Sequence, residues 1–448
     1  MLAVGLLVGG LTPAALAAGP AEELRALTEA KTRVVWVQDA GETACVYSER
    51  PTLRLMGFDT DDGKGERPIL PEIGWYAKPV ITADGNRIVF ADLSDHSVKV
   101  VNFDGTGLRQ IVKNEESYSF NEQAFTNNSV WTDLKTGVVW VYAMIMEQRG
   151  GQSVPTIRRY QLDHPEVHEL VWDKTPVFMF MMNGDGRMAS GGAGNGGNTP
   201  QGVFSLPNNY FAARAGGCWP SMSPDNSLRS WVFTGNHRSI HCAVTTDPRS
   251  GKGYVYGVDF NKAPGLTLKG QEEIYHPRWS NNVRFLTGGA PFEQWNYKSK
   301  AMIPMSVAEK VEIYLGKFTE DMKGIEKWVQ VTHNTHGDYW ASAWIQPPPG
   351  PPAWMTVAES APLDTGSDAT KEEPDRTAQV FVWTTGSDSN QISDPKTGMI
   401  RQCMGRMRDA GRFARHAVMD LNGGAFLPDA TAKPWLEAVQ AGNAFAIE

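Results

Sequence analysis

The stretch KPVITADGNRIVF, Lys78–Phe90, holds the pattern that decides the fold. An apolar strand runs into a tight turn of Asp, Gly and Asn, and a second apolar strand returns from it. Variants of this unit follow as MMNGDGRMAS from Met181, CWPSMSPDNSLRSWVF from Cys218 and HPRWSNNVRFLT from His276. A repeated strand-turn-strand unit buries its apolar face only against neighbouring copies, so the repeats predict a propeller or a solenoid.

Four short strands in series make one blade of a propeller. The segment that starts at Pro79 supplies a full set, because RIVFAD, SVKVVNF and LRQIV follow its first strand at hairpin spacing. The same count along the chain predicts an all-β propeller of about seven blades over residues 33–430. Six blades are the alternative, since the GGAGNGGN region leaves the fourth unit poorly defined. We expect strands from both ends of the chain to pair and close the ring.

The segments that flank the repeats have their own composition. Residues 1–18 are apolar and end in small residues, which predicts a signal peptide, with a retained anchor as the alternative. Residues 19–32 predict a short helix or linker, and residues 431–448 a tail helix at KPWLEAV. The Pro-rich and acidic residues 346–376 predict an exposed loop within the last blade. We therefore expect an exported, periplasmic or extracellular protein with no membrane span after cleavage.

The charge balance narrows the class of partner. The formal net charge is −8 and the sequence pI is near 5.7. Binding to phosphate backbones needs a basic face, so nucleic acid is not an expected partner. No GxSxG, HExxH, CxxCH or EF-hand motif is present in the sequence. The expected partner is an envelope protein or an acidic glycan, and the expected state is a monomer.

The four cysteines allow three pairings in an oxidising compartment. Cys218 and Cys242 flank one strand-turn-strand unit, whereas Cys45 and Cys403 lie near opposite ends of the chain. One hypothesis is a disulfide between Cys218 and Cys242 and a second between Cys45 and Cys403, which would link the first and last repeats. The alternative is four buried free thiols.

Several repeats resemble those of a known family. ITADGNRIVF and SMSPDNSLRSWVF are similar to the SPDG-containing units of TolB-like, WD40-like propellers, and VNFDGTGLRQIV resembles the closing hairpin of those repeats. The resemblance implies a β-propeller fold. This sequence departs from the pattern where Asn281-Asn282 replaces the Asp-Gly turn and where Asn226 replaces its Gly, and these departures bear on the number of blades.

A looser resemblance concerns the histidines. QVTHNTH places Gln330, His333 and His336 close together in one repeat, and His276 opens the preceding repeat. This arrangement is similar to that of oligogalacturonate lyases, which are secreted propellers that hold Mn²⁺ with His and Gln. The resemblance implies a site for Mn²⁺ or another divalent transition metal. His237 or Arg238 would then abstract a proton from a uronate. Structural or rim histidines are the alternative, and in that case no cofactor is expected.

The sequence leaves the function open between three classes. The leading hypothesis is a non-catalytic binding or protein-interaction scaffold in the periplasm or at the cell surface. The alternatives are a metal-dependent lyase acting on acidic, uronate-containing polysaccharide and a carbohydrate-binding protein without turnover. The sequence leans against an enzyme, because none of its motifs is specific for a catalytic class.

Overall fold

A computed structural model gives the architecture. It describes residues 19–40, 52–113, 129–173, 177–186, 188–193, 201–205, 211–215, 218–233, 237–247, 252–270, 272–292, 295–296, 301–302, 311–350, 379–384, 415–420 and 444–447. The chain divides into two compact units, Met1–Ala358 and Glu359–Glu448. The signal peptide predicted over residues 1–18 lies outside the described residues.

Among the described residues, one α-helix precedes the sheets. Helix α1, Pro20–Thr28, lies inside the segment 19–32 for which the sequence predicts a helix or linker. Proline occupies the first turn, where its missing N–H is not needed for a helical hydrogen bond. Glu22 and Glu23 also lie in this turn, where their negative charge interacts favourably with the positive end of the helix dipole. Leu24 and Leu27 are buried against an apolar cluster that includes Trp36 and Phe58. No helix in the described part of the chain combines the length and the apolar character needed to cross a membrane.

The described residues of the first unit contain six antiparallel sheets of four strands each. Sheet 1 consists of β26 (Asp338–Ile345), β1 (Thr32–Asp39), β2 (Leu53–Asp59) and β3 (Arg67–Pro68), in that order. Sheet 2 consists of β4 (Tyr76–Ile81), β5 (Arg87–Asp92), β6 (Ser97–Asn102) and β7 (Arg109–Lys113), and sheet 3 of β8 (Ser129–Thr132), β9 (Val139–Arg149), β10 (Gln152–Gln161) and β11 (His168–Trp172).

The remaining three sheets follow the same plan. Sheet 4 consists of β12 (Val177–Met182), β13 (Met188–Ala193), β14 (Gln201–Ser205) and β15 (Phe211–Ala215). Sheet 5 consists of β16 (Cys218–Met222), β17 (Arg229–Phe233), β18 (Ser239–Asp247) and β19 (Lys252–Asp259), and a 3₁₀ turn, Phe260–Lys262, follows it. Sheet 6 consists of β20 (Glu273–Trp279), β21 (Phe285–Phe292), β24 (Glu312–Phe318) and β25 (Ile325–Gln330), with a hairpin of β22 (Trp295–Asn296) and β23 (Ala301–Met302) inserted.

The first strand of each sheet faces a common axis. Strands β26, β4, β8, β12, β16 and β20 contact one another in that order, and β20 contacts β26 again. The cycle is closed, so the first unit is a β-propeller, as the sequence predicts. The predicted seven blades are wrong, because the ring of described residues contains six four-stranded sheets.

The ring closes by pairing distant parts of the chain, as expected. Strand β1 lies between β26 and β2, with Arg33 opposite Trp344 and Val37 opposite Tyr339. The indole Nε1 of Trp36 also donates to Asp338 Oδ1 at 2.7 Å. Strand β26 therefore completes the first sheet as its innermost strand.

The late strands differ from the prediction of an extended last blade reaching residue 430. Strand β27 (Gln379–Thr384) pairs in parallel with β28 (Arg415–Asp420) on one side and β29 (Ala444–Ile447) on the other. A strand-turn-strand repeat produces antiparallel pairs, whereas parallel neighbours need long crossovers. These strands form a separate sheet in the second unit. The tail helix predicted at KPWLEAV lies outside the described residues, although the strand β29 occupies part of the range 431–448.

The predicted disulfide between Cys218 and Cys242 does not fit the sheet. Cys218 pairs with Phe233 across β16 and β17, whereas Cys242 pairs with Trp231 across β17 and β18. A whole strand separates the two cysteines, so their Cα atoms lie about 10 Å or more apart, beyond the reach of a disulfide. Cys242 is a free, buried thiol, and burial raises its pKa to about 12. Cys45 and Cys403 lie outside the described residues, and their pairing stays a prediction.

The loop between sheets 5 and 6 passes very close to β25. Trp328 donates from its backbone N to Pro264 O and from its indole to Phe260 O, which fastens the loop to the sheet. Gly265 has a φ of +94°, and a Cβ at this position would lie 2.0 Å from the backbone oxygen of Trp328. A flexible side chain could move aside, but this backbone atom cannot.

Gly265→Ala should therefore destabilise the propeller strongly. The matched control is Gly63→Ala, because Gly63 also has positive φ (+67°) but an added Cβ meets nothing within 4 Å. The control measures the cost of the left-handed backbone alone, about 1 kcal/mol. We expect Gly265→Ala to cost about 2 kcal/mol more in the free energy of urea unfolding. Equal costs for the two variants would contradict the described approach of loop and strand.

Candidate functional site at the axis of the ring

Five of the innermost strands share one irregularity. In the pairing of β4 with β5, Ala77 lies opposite Ala91 and the next pair is Val80 with Val89. Two residues of β4 therefore lie opposite a single residue of β5. The same irregularity occurs in β12, β16, β20 and β26. Each is a β-bulge, a feature that re-aims a side chain without ending the strand.

The first residue of each bulge has a left-handed backbone. Its φ lies between +46° and +55° at Lys78, Met179, Trp219, His276 and Trp340. None of these residues is glycine, so each conformation costs of order 1 to 3 kcal/mol and persists only where the surrounding structure enforces it. Proline follows three of the five and cannot donate to the ladder, which favours a bulge at these places.

The bulges bring side chains from different sheets together. The ring centroids of His276 and Trp219 are 4.5 Å apart, and those of His276 and Trp340 are 5.3 Å apart. The Nζ atom of Lys78 lies 5.9 Å from the Trp219 ring and 6.0 Å from the Trp340 ring. We call Lys78, Trp219, His276 and Trp340 the axial cluster. Four of the six sheets contribute one residue each to it.

Two basic side chains, Lys78 of the axial cluster and Arg278, interact electrostatically in a chain of net negative charge. Lys78 is buried, and burial together with the charge of Arg278 lowers its pKa to about 7. Loss of hydration lowers the Arg278 pKa to about 10. His276 is buried as well, and its pKa is lowered far below the ordinary value, first by burial and then by Lys78 and His237. Lys78 and Arg278 therefore disfavour each other's charge, and a negative group placed between them would stabilise both.

One hydrogen-bond donor of the axial cluster is unsatisfied. The indole Nε1 of Trp340 is buried and has no acceptor among the described residues, and Trp340 itself is only 5% exposed. A buried N–H without a partner costs about 1 to 3 kcal/mol, so such groups call for an explanation. Trp219, in contrast, is only half-buried, so the cluster is more open on that side.

His237 and Arg238, the predicted proton-abstracting residues, have different surroundings. His237 Nδ1 lies 2.7 Å from Oε2 of the buried Glu273, and its ring lies 5.3 Å from that of Tyr275. Its charge also acts on His276, which puts it next to the axial cluster. Arg238 instead donates to the backbone oxygens of Gly270 and Glu272. Arg238 thus holds a loop in place.

The four predicted metal ligands are not brought together. His276 belongs to the axial cluster, whereas Gln330 accepts from the Tyr314 hydroxyl and donates to Thr332 O. His333 is exposed, and His336 Nδ1 lies 3.4 Å from Asp39 Oδ1. No group of three His, Cys, Asp or Glu side chains in the described part of the chain has the arrangement of a metal site. The QVTHNTH segment bends after Gln330, so its side chains turn to different neighbours.

Carboxylates surround that segment instead. Asp338 accepts from Trp36, Gln38 and Asn334, and Glu312 accepts from the Thr332 hydroxyl and from Asn334 N. Glu66 accepts from His333 N at 2.7 Å and from Asn334 Nδ2 at 2.9 Å. Burial raises the pKa of Glu312 to about 8, and the charge of Asp338 adds to it. These bonds tie the turn before β26 to sheets 1 and 6, which is a structural role.

Sequence reasoning missed Lys78, Arg278 and the axial role of Trp219 and Trp340. A signal was present in the dipeptides Lys78-Pro79, Trp219-Pro220 and His276-Pro277, which occur at the same place in three repeats. Proline inside a strand marks a bulge or an edge. Their shared position therefore indicates a repeated bulge, and the residue before each proline is the one that the bulge aims.

Comparison with known proteins finds solved structures of low similarity to this chain. No family model matches the chain, and no curated protein matches it. TolB from Acinetobacter baumannii is similar with a TM-score of 0.41 and 12% identity, over 72% of this chain and 70% of that one. A nidogen/laminin complex has a TM-score of 0.42 and 9% identity, over 70% of this chain and 98% of that one. An oligogalacturonate lyase in complex with manganese has a TM-score of 0.33 and 18% identity, over 50% of this chain and 61% of that one. These similarities assign neither ligand nor activity to this chain.

Raising the pH from about 5 to about 9 should lower the free energy of unfolding through Glu312 and Asp338. Burial raises their folded pKa values to about 8 and about 7, whereas an unfolded carboxyl titrates near 4. The folded state holds protons that the unfolded chain loses, so their contribution is complete below about pH 4 and disappears as pH passes 7 to 8.

The variant Glu312→Gln should flatten this pH dependence in urea unfolding, because the amide does not titrate. Glu320→Gln, at an exposed position, should leave the slope unchanged. If the free energy of unfolding had the same pH dependence in Glu312→Gln and Glu320→Gln, Glu312 would not be a buried carboxyl group that stays protonated at neutral pH.

Proposed function

We propose that the protein is a binding propeller that holds an anionic ligand at the axis of its ring without turning it over. The observation that carries the proposal is the unsatisfied Nε1 of Trp340, which lies in a cluster with the buried Lys78. A donor without an acceptor and a desolvated cation are both stabilised by one ligand oxygen that bears negative charge.

The chemistry of the axial cluster specifies the ligand class. Lys78 and Arg278 repel each other, and an oxyanion between them would reverse that unfavourable interaction. The rings of Trp219 and Trp340 provide flat apolar surfaces beside these charges. A carboxylate attached to a small ring or chain fits both features. Among the ligands expected from the sequence, an acidic sugar carries these groups, which favours the carbohydrate-binding alternative over a purely protein-directed scaffold.

The cellular setting remains part of the proposal. The predicted export to the periplasm or cell surface rests on residues 1–18 and on their composition. An exported binding propeller would meet acidic glycans there. If the ligand is instead an envelope protein, we expect that protein to insert a carboxylate side chain into the axial site.

One observation favours a second, catalytic candidate. The 2.7 Å contact between His237 and Glu273 is the arrangement of a base with an orienting carboxylate. A uronate held by Lys78 and Arg278 could place a carbon-bound proton near His237, in which case a lyase would follow. This candidate requires turnover, whereas the binding proposal does not.

Tryptophan fluorescence titration with di- and trigalacturonate should separate these functions. Binding should change the emission of Trp219 and Trp340, and the matching neutral galactose oligomers should have little effect. Lys78→Met keeps the length of the side chain and should raise the Kd for the acidic oligomers about tenfold or more. Trp340→Phe removes the indole N–H and should raise the same Kd about threefold to tenfold. Lys64→Met, in an exposed turn, is the control and should bind as the wild type does.

Equal affinity of Lys78→Met and wild type would refute the axial site. Formation of an unsaturated product, followed by its ultraviolet absorbance and lost in His237→Gln, would establish the lyase in place of the binding protein. Stable binding of the acidic oligomer with no product would support the binding protein.

A further inference from the structure

We propose that Lys78 is a nucleophilic amine that forms an imine with a ligand carrying both a carbonyl group and a carboxylate. This inference rests on the proposed function, because it assigns the carboxylate to the same axial site. It adds a covalent step and a narrower ligand class, the oxo acids.

The position of Lys78 carries the first step. Its φ of +46° at a β-bulge turns the side chain toward the axis, where Nζ lies about equally far from two indole rings, 5.9 Å and 6.0 Å. Lys78 is only 7% exposed. An amine in such surroundings loses most of the hydration that stabilises its ammonium form.

A neighbouring cation carries the second step. Arg278 comes from another sheet, and its charge acts on Lys78. Burial and a nearby like charge are the two devices that make a lysine amine nucleophilic at neutral pH. With its pKa lowered to about 7, Lys78 would have a neutral fraction about a thousandfold larger than that of an ordinary lysine.

Arg278 also explains why a carboxylate should accompany the carbonyl group. The guanidinium remains protonated, because its pKa falls only to about 10, so it can bind an oxyanion while Lys78 is neutral. Trp340 Nε1 supplies a further donor. A ligand whose carbonyl carbon is next to its carboxylate can place the anion near these donors and the carbon near Nζ.

The step balances without any further reactant. The Lys78 nitrogen bonds to the carbonyl carbon, and the carbon–oxygen double bond opens to give a carbinolamine. The oxygen then leaves as water with the two hydrogens of the amine, and a carbon–nitrogen double bond replaces the carbon–oxygen one. Nothing is oxidised or reduced.

Reductive trapping tests the proposal on the full-length protein. Purified protein is incubated at neutral pH with pyruvate and cyanoborohydride, and the modified peptides are mapped by mass spectrometry. We expect trapping at Lys78 at least about tenfold faster than at Lys99, whose ammonium is held by Asp92 and Asp95. Lys78→Arg keeps a cation at the axis and should abolish the adduct at this position. Lactate, which lacks the carbonyl group, should compete with pyruvate and slow the trapping.

The outcomes distinguish this inference from the proposed function. If pyruvate and lactate both alter tryptophan fluorescence but Lys78 is trapped no faster than Lys99, the imine is wrong and anion binding stands. If neither acid binds and no adduct forms at Lys78, and the uronate titration is also negative, both proposals fail. Trapping at Lys78 that lactate does not slow would also overturn the inference, because the carboxylate would then play no part in it.

Discussion

The repeated β-bulge in the innermost strands is the constraint on which the rest of the structure depends. A regular strand would direct these residues alternately to its two faces, into the packing between neighbouring sheets. The bulge and its left-handed first residue turn one side chain per strand toward the axis instead. Lysine, histidine and two tryptophans that are far apart in sequence thereby meet in one cluster. This backbone feature thus brings together the side chains on which the chemistry of the axis depends.

Such a costly backbone needs a rigid frame, which the closure of the ring provides. Strand β1 bonds to β26 along most of its length, and Trp36 adds a side-chain bond to Asp338. On the other side of β26, the hydroxyl of Thr287 in sheet 6 donates to Ala341 O at 2.9 Å, directly beside the bulge at Trp340. Because both neighbours of β26 hold its backbone, the left-handed conformation at Trp340 has few ways to relax. Closure therefore stabilises the axial cluster as well as the sheets.

The sequence predicts what depends on neighbours in the chain. In the unit at Lys78–Phe90, the Asp84 carboxylate accepts from Thr82 and from Asn86 N, so the turn forms from adjacent residues. Which segment closes the ring is a different matter, because β1 and β26 lie about 300 residues apart. The apolar content of strand β27 favours a strand but does not specify its partner or its direction. The last blade and the blade number were consequently wrong.

The site was predictable to a similar extent. The expected convergence of His276 with His333 and His336 requires a turn that directs all three side chains to one point. The segment does leave the strand after Gln330, but Glu66 accepts from the backbone of His333, whereas His336 lies beside Asp39. Lys78 and Arg278 have no local motif. Lys78 is buried at the axis and the charge of Arg278 acts on it, and both facts appear only when the sheets are arranged around that axis.

Anomalous diffraction from crystals soaked in bromide tests the central claim most directly, because bromide is an anion that can be located without knowledge of the natural ligand. We expect an anomalous peak at the axis, within hydrogen-bonding distance of Trp340 Nε1 and beside Lys78 Nζ. Bromide bound only at surface positions, with Trp340 Nε1 donating to an acceptor of the protein itself, would contradict it.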